Sequence, residues 1–351
     1  AKVVSNYVKE SIRLTDHAGQ TWDKLVYCLN PHGTDTGRLA SKEHHFWCGL
    51  QIQNIKRDED DDEAVSVKTM LVAPAGFYLG EADYEQAEAR DTAYLSGDTS
   101  LISAVDCGKD FHSLNAASFF GVPYEDIYQD LEYIDPDGTV HKQGTKNKPL
   151  RNLSKRVNHG ANYNMGAGVL LDTMGIRNVI KAKQLLSLPV SWSLLQVCAY
   201  LLSRFDATYP VVRGDYQEYI KRCVRQTKLL VGPTGWTRYC FGDPTNNKRD
   251  LNSYVAHPSQ SLNGMVLNKA WWRIFTQVAL VERRDFRLFA QIHDSILFGY
   301  RKGREDLAYK VKELMQIPIQ VTDPYGITRT LLVPSALKGE GTVWADLKDM
   351  R

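Results

Sequence analysis

The stretch Gly80-Glu81-Ala82-Asp83-Tyr84-Glu85-Gln86-Ala87-Glu88-Ala89-Arg90 decides how the rest of the chain is interpreted. An apolar run at 77–79 precedes it, and this pattern predicts a short buried strand. The residues from Ala87 to Leu95 are typical of a helix. Asp83 is therefore expected where a strand gives way to a helix. A carboxylate on such rigid backbone suits a metal ligand, because phosphoryl transfer depends on positioned charge.

A second carboxylate follows far downstream, in Phe289-Ala290-Gln291-Ile292-His293-Asp294-Ser295-Ile296-Leu297-Phe298. Two apolar runs flank the polar pair His293-Asp294. This pattern predicts a β-hairpin with Asp294 at its tip.

A third segment, residues 151–165, follows Pro149, which favours the first turn of a helix. Four of its side chains are spaced four apart and are expected to form one slowly winding helical stripe: Arg151, Lys155, His159 and Tyr163. Its two cations can hold a triphosphate, Arg by a forked contact and Lys as a point charge. The alternative is a solvated basic face with a buried tyrosine.

Taken in order, these segments resemble the motifs of the family A DNA polymerases, the DNA polymerase I family. Residues 83–90 resemble motif A, residues 151–163 resemble motif B, and residues 291–294 resemble motif C. A fourth match lies upstream, in Thr34-Asp35-Thr36-Gly37-Arg38-Leu39 and Gln53-Asn54-Ile55.

The resemblance implies an α+β fold with the right-hand polymerase architecture, in which an antiparallel palm sheet accompanies a mostly helical fingers subdomain. We expect the end of a thumb, or a connector, at 1–20, palm at 21–96 and 251–351, and fingers at 97–250. The thumb is expected to be largely absent. A separate chain or a removed N-terminal region would then carry the thumb and an exonuclease. The apparent insertions suggest a bacteriophage or another virus as the source.

The implied function is template-directed DNA synthesis, in which deoxynucleotides (dNTPs) are added to a primer 3′-hydroxyl by two-metal nucleotidyl transfer. Primer–template DNA and dNTPs would be the partners. Asp83 and Asp294 would both bind the same two Mg²⁺ ions, for which Mn²⁺ can substitute. The Tyr84 carbonyl would add a ligand. Ser295 stands where the family usually has Glu, so we expect weaker support of the metals.

The resemblance assigns further residues by position. Those expected to contact the incoming nucleotide are His112, Arg151, Lys155, His159, Tyr163, Glu88 and Gln86. Arg151 and Lys155 would also act in catalysis by neutralising charge on the phosphates. Those expected to contact DNA are Arg38, Gln53, Asn54, Gln260, Gln291 and His293. Considered alone, Arg38 is a surface residue of a glycine turn, and a lone histidine such as His112 is more often structural.

Glu88 is expected to select the sugar, because the matching family residue covers the 2′ position and bonds the tyrosine that matches Tyr163. Single-subunit phage RNA polymerases share the architecture but lack such a Glu, which disfavours that alternative. A non-catalytic DNA-binding subunit is disfavoured because both aspartates and both cations are present. His159 replaces Phe or Tyr, and we expect a neutral imidazole that donates towards the sugar. The alternative is that it only fills space.

The bulk composition is that of an ordinary globular protein, with 351 residues of which 43% are hydrophobic and 24% charged. No apolar run reaches the length of a membrane span, so we expect no membrane partner. The cysteines have no regular spacing and are interpreted as reduced thiols, which indicates a cytoplasmic location, in the host if the source is viral. The six cysteines show no CxxC pair, and with His44-His45 they predict no zinc site. Without the acidic run at 58–63, the net charge of +2 becomes +8, which fits nucleic-acid contact.

Local patterns give four further expectations. The first residues, 1–15, show weak helical periodicity, and residues 133–140 read as a small hairpin with an Asp-Gly turn. The stretch from Leu185 to Pro210 is predicted to contain a long helix that ends at Tyr209-Pro210. The pair Trp271-Trp272 is expected to lie in the core.

Overall fold

The computed structural model describes residues 12–15, 21–24, 27–31, 33–42, 52–55, 67–134, 140–141, 143–243 and 247–350. The pair His44-His45 and the acidic run at 58–63 lie outside these described residues. Among the helices of the described part, none is long and apolar enough to cross a membrane.

The α-helices of the described residues are α1 (Ala87–Ser96), α2 (Thr99–Asp106), α3 (Phe111–Phe120), α4 (Lys148–Asn162), α5 (Ala167–Met174), α6 (Ile176–Leu185), α7 (Leu194–Thr208), α8 (Gln217–Thr227), α9 (Lys248–Ile274) and α10 (Glu305–Met315). The strands are β1 (Ile12–Thr15), β2 (Thr21–Lys24), β3 (Cys28–Asn30), β4 (Ala40–Lys42), β5 (Phe77–Tyr84), β6 (Tyr128–Gln129), β7 (Tyr133–Ile134), β8 (Val140–His141), β9 (Gly144–Thr145), β10 (Leu229–Val231), β11 (Thr237–Tyr239), β12 (Phe286–Ile292), β13 (Ser295–Arg301), β14 (Ile319–Thr322), β15 (Thr328–Leu331), β16 (Ser335–Gly341) and β17 (Lys348–Asp349).

The chain forms two compact units. The first comprises Ala1–Ala87, Gln260–Pro318 and Leu332–Arg351. It contains an antiparallel five-stranded sheet in the order β12-β13-β5-β16-β17. The central strand β5 buries Phe77, Leu79, Ala82 and Tyr84, which confirms the predicted buried strand. The helix α10 packs against this sheet.

The second unit comprises Glu88–Ser259 and Ile319–Leu331. It is mostly helical, as predicted for the region after Ser96, and the large side chains of its core include Phe111, Phe119, Leu170 and Phe205. Short hairpins interrupt the helices, and the pairing of β7 with β8 confirms the hairpin predicted at 133–140. A sheet in one unit and helices in the other confirm the α+β class.

The long helix predicted within the stretch from Leu185 to Pro210 is confirmed as α7, which begins after a reciprocal capping box of Ser193 and Gln196 and has Tyr209 as its C-cap. Two other local predictions were wrong. The side chain of Trp272 is 63% exposed and lies outside the core. The described residues Ile12–Thr15 form the strand β1 rather than a helical turn.

Candidate active site

Asp83 and Asp294 lie at the same end of the sheet in the first unit. Asp83 is the second-last residue of β5, and Asp294 sits in the two-residue turn that joins β12 to β13, which confirms the predicted hairpin tip. Ser295 is paired with Asp83 across the strands, and the Tyr84 amide donates to the Asp294 carbonyl at 3.1 Å. The two carboxylates are therefore held by adjoining rigid strands.

Two side chains orient Asp294. The Asn263 amide donates to Oδ1 of Asp294 at 2.8 Å, and the Arg38 guanidinium lies 3.8 Å from the same oxygen. Asn263 was not singled out from the sequence, although it lies in the helical stretch that follows Gln260. Arg38 was expected at the DNA, and the structure places it beside one of the two predicted metal ligands.

A third carboxylate lies next to the position where the family's usual Glu is missing. The Ser295 hydroxyl donates to Oε1 of Glu81 at 3.0 Å, and the Trp344 indole donates to Oε2 at 3.0 Å. Glu81 and Asp83 lie two residues apart on β5 and so share one face of the sheet. No local pattern in the sequence indicates Glu81, because its partners lie more than two hundred residues away in the chain.

The donor set fits a divalent cation that completes its ligands with substrate oxygens. Mg²⁺ is commonly bound by one or two carboxylates together with phosphates and water, and Asp83 and Asp294 supply two carboxylates on adjoining strands. Within the part of the chain that the structure describes, no group of three or more His, Cys, Asp or Glu side chains could hold a metal ion alone.

Gln86 occupies the junction between β5 and α1. Its backbone has a left-handed φ of 56°, which is uncommon for a residue other than glycine. Its side-chain Oε1 is buried and accepts no hydrogen bond from the described residues. Strained backbone and an unsatisfied buried oxygen are often found at functional sites.

The residues predicted to contact DNA in the first unit are brought together only in part. Gln53 donates from Nε2 to the Gln291 carbonyl at 3.0 Å, and Gln291 donates to Asn268 at 3.1 Å. His293 is exposed in the hairpin turn with a φ of 51°. Gln260 lies half-buried in α9. The side chain of Asn54 lies outside the described part of the structure.

In the second unit, α4 carries the predicted stripe. Asn147 caps the helix and a proline occupies its first turn, as predicted from Pro149. Apolar residues such as Leu153 and Val157 face the core, while Lys155 is half-buried and His159 is exposed. Tyr163 is the C-cap rather than a helical residue, so the stripe ends one residue beyond the helix.

Arg151 is held by a partner that no motif in the sequence indicates. Its Nε and one terminal nitrogen donate to the two oxygens of Asp110 at 2.9 and 2.8 Å, a forked ion pair. Asp110 also caps α3 through the Ser113 amide. Burial raises the pKa of Asp110, but its contacts with Arg151 and Ser113 outweigh burial and lower the pKa below its usual value.

A chain of hydrogen bonds fixes the state of His112. The Tyr209 hydroxyl donates to Asn115 Oδ1. Asn115 Nδ2 then donates to Asn158 Oδ1 at 2.9 Å, and Asn158 Nδ2 lies 3.2 Å from His112 Nδ1. Because each amide uses its oxygen as the acceptor, Asn158 presents a donor to His112, and Nδ1 must accept. The ring is then neutral and carries its proton on Nε2.

Burial and the charge of Arg151 also favour the neutral form of the His112 ring. Burial is the larger effect, and together they lower the pKa of His112 to about 3. A neutral His112 can still donate from Nε2 to an acceptor such as a phosphate oxygen.

His159 has a carboxylate neighbour. Its Nδ1 lies 3.4 Å from Oε2 of Glu88, and its ring meets the Tyr163 ring edge to face with centroids 4.5 Å apart. The structure thus brings together three residues predicted to contact the sugar of the nucleotide. The contact between His159 and Glu88 was not among the predictions from sequence.

Comparison with known proteins gives one family. The profile of the DNA polymerase family A matches residues 1–328. The DNA polymerase I of Thermus filiformis is 33% identical over 311 residues, which cover 84% of this chain and 31% of that protein. The DNA polymerase I of Pseudomonas aeruginosa is 32% identical over 289 residues, which cover 79% of this chain and 26% of that protein.

A solved structure is also similar. It is the POL domain of Pol1 from M. smegmatis in complex with DNA primer-template and dNTP, with a TM-score of 0.66, 21% identity, and coverage of 91% of this chain and 47% of that one. This likeness shows the polymerase fold. The chain spans about a third of the length of the curated relatives it matches. On the match of its sequence over nearly all of its length, the chain belongs to DNA polymerase family A.

Proposed function

We propose that this chain is the polymerase region of a DNA-directed DNA polymerase, a nucleotidyltransferase that extends a primer 3′-hydroxyl under the direction of a template. The observation that carries the proposal is the placement of Asp83 and Asp294 at one end of a sheet, on adjoining strands. The M. smegmatis neighbour was solved with DNA primer-template and dNTP, which supports the same partners for this chain.

The subdomains follow from the same proposal. The five-stranded sheet of the first unit would be the palm, and the helical second unit would be the fingers. Residues 1–20 would belong to the end of a thumb or a connector. A separate chain or a further N-terminal region would carry the rest of the thumb and an exonuclease.

Asp83 and Asp294 would hold two Mg²⁺ ions, or Mn²⁺ in their place, with the Tyr84 carbonyl as a further ligand. When bound, such ions activate the attacking hydroxyl and stabilise charge on the phosphates. Asn263 and Arg38 both contact Oδ1 of Asp294 and so fix the direction of that carboxylate before the nucleotide arrives.

The second unit would bind the nucleotide. Arg151 and Lys155 would neutralise the triphosphate, and His112 would donate from Nε2 to a phosphate oxygen. Asp110 holds the Arg151 fork in one orientation and so reduces the entropy lost on binding. Glu88, His159 and Tyr163 would line the sugar and base. Gln86, in the first unit, stays a separate prediction as a nucleotide contact.

The DNA would be bound by residues of the first unit. Those proposed are Arg38, Gln53, Asn54, Gln260, Gln291 and His293. Because phosphate contacts would supply most of the affinity, binding is expected to weaken steeply as salt rises.

The test is primer extension by the 351-residue chain on a template with a 5′ overhang, in Mg²⁺ and with each dNTP alone. We expect addition of the nucleotide complementary to the template. DNA binding without extension in Mg²⁺ or Mn²⁺ would instead indicate a non-catalytic subunit.

The relative use of ribonucleotides and deoxyribonucleotides tests the role of Glu88 and distinguishes a DNA polymerase from an RNA polymerase. Glu88→Ala is expected to raise ribonucleotide use relative to deoxyribonucleotide use, because a buried polar contact at the 2′ position would no longer oppose the added hydroxyl. A parent chain that prefers ribonucleotides would indicate an RNA polymerase. If Glu88→Ala left the ratio of ribonucleotide to deoxyribonucleotide use unchanged, Glu88 would not contact the sugar.

A further inference from the structure

The hairpin β10–β11 in the second unit carries an exposed aromatic face. Leu229 pairs with Tyr239, and Val231 pairs with Thr237. Side chains alternate along each strand, so Leu230 and Cys240 are buried on one side, while Tyr239 and Phe241 point to the other. Tyr239 is 65% exposed and Phe241 is 90% exposed. Two large rings therefore face solvent from one short hairpin.

The two rings are stacked. Their centroids lie 6.0 Å apart and their planes differ by 17°. Neither exposed ring contributes much to the core, so the stability of the unit does not account for them. Because both rings are largely exposed, each presents a π face to solvent, and nucleic-acid bases stack on such faces.

The hairpin is held rigidly from its inner side. The Arg238 guanidinium lies 4.8 Å from the centre of the Tyr254 ring, and Arg238 also donates to the Ser253 carbonyl at 3.1 Å. The Tyr254 hydroxyl accepts from the amide of Gly242, the residue after Phe241, at 2.8 Å. The Cys240 amide donates to the Lys228 carbonyl at 2.8 Å. The stacked pair is thus fixed before any ligand binds, which lowers the entropy cost of binding.

The surroundings of the hairpin are basic. Residues 217–250, which hold the hairpin and the helices that enter and leave it, contain seven Lys or Arg and three Asp or Glu, a net charge of +4. Of the seven cations, those with exposed side chains are Arg222, Arg225, Lys228, Lys248 and Arg249. Stacked aromatic rings within a cationic surface are the usual combination of sites that bind single-stranded nucleic acid.

We propose that Tyr239 and Phe241 form a stacking platform for single-stranded DNA. Unpaired bases would stack on the two rings, and the cations around the hairpin would contact the phosphates. A duplex keeps its bases stacked on one another, so it could use only the cations. If the chain is a polymerase, the unpaired template strand is the natural source of such bases, but the platform itself requires no catalysis.

The experiment measures binding by fluorescence anisotropy with the whole chain and a labelled oligothymidine of about 12 nucleotides, within the usual site size. The test variant carries Tyr239→Ser and Phe241→Ser. The control is Val190→Ser, which removes a 95% exposed apolar side chain elsewhere in the same unit. We expect the double variant to bind oligothymidine about tenfold more weakly than the parent. Both variants should bind a blunt duplex like the parent, and Phe241→Trp should keep full affinity.

The salt dependence separates stacking from charge. The double variant should keep the parent slope of log affinity against log salt, because it loses no phosphate contact. Lys228→Asn should reduce the slope by about 0.7, the value for one phosphate contact on a single strand. Asn is chosen because Lys228 has a φ of 56°, which Asn tolerates.

Two results would overturn the proposal. One is equal affinity of the double variant and Val190→Ser for oligothymidine. The other is an equal loss of affinity for oligothymidine and duplex, which would indicate a general change in charge or fold. This experiment measures binding and not primer extension. A chain that binds the single strand as described but does not extend a primer would therefore refute the proposed polymerase function and leave the stacking platform intact.

Discussion

His112 is expected to make the stability of the protein depend on pH. In the folded state its pKa is about 3, and in an unfolded chain a histidine has a pKa of about 6.5. Below pH ~6.5 the unfolded chain therefore binds a proton that the folded state does not. The stability associated with the neutral ring is complete above pH ~6.5 and is lost progressively as the pH falls towards 3.

The size of the effect follows from the two pKa values. At pH ~5 the unfolded state gains ~2 kcal/mol from protonation of this one ring, while the folded state gains almost nothing. His112→Gln removes the titrating group and leaves a side chain that can still accept from Asn158. The variant should therefore lose ~2 kcal/mol less stability than the parent between pH ~7.5 and pH ~5.

The assay is urea denaturation of parent and variant at these two pH values. The sequence has nine histidines, and the comparison of parent with variant cancels the contributions of the other eight. The control is Val190→Ser, a substitution of an exposed, non-titrating side chain in the same unit. It should keep the parent pH dependence. The same loss of stability in His112→Gln and in the parent would refute both the neutral state of His112 and the hydrogen-bond chain that fixes it.

Three further predictions concern other contacts. Asp110→Asn should lower the free energy of unfolding by ~2–3 kcal/mol, because it breaks a largely buried forked ion pair with Arg151. The control Asp206→Asn breaks a more exposed ion pair with Arg213 and should lower the free energy of unfolding by less than ~1 kcal/mol. Denaturant titration measures both. Glu81→Gln should raise the Mg²⁺ concentration for half-maximal extension about tenfold, because it removes a negative charge near Asp83, and an unchanged requirement would contradict this. His159→Phe should increase discrimination against dideoxynucleotides about fivefold, which corresponds to the loss of one hydrogen bond. Competition between dideoxy- and deoxynucleotides measures this discrimination. Equal ratios of incorporation in parent and variant would show that His159 does not contact the sugar.

The sequence predicted the positions that depend on local pattern. Asp83 at the end of a buried strand and Asp294 at a hairpin tip both followed from short apolar runs around a polar residue. The start of α4 followed from Pro149. The prediction that Arg151, Lys155 and His159 lie on one helix was also confirmed, because periodicity reflects backbone geometry.

The contacts that orient these residues could not be predicted in the same way. Asn263 beside Asp294 and Asp110 beside Arg151 are ordinary polar residues in sequence, and each acquires its role from a partner on another element. Glu81 lies 214 residues from Ser295 in the chain. No spacing rule links residues so far apart, since tertiary packing decides which side chains meet.

The loss of either proposed metal ligand tests the central claim most directly. Asp83→Asn and Asp294→Asn should each reduce the rate of primer extension about a thousandfold, because metal stabilisation of charge in the transition state is worth several kcal/mol. DNA affinity should stay within about twofold of the parent, since the phosphate contacts remain. Asp349→Asn, an exposed aspartate in β17 of the same sheet, should extend primers at the parent rate. Extension by Asp294→Asn within about tenfold of the parent would contradict the account.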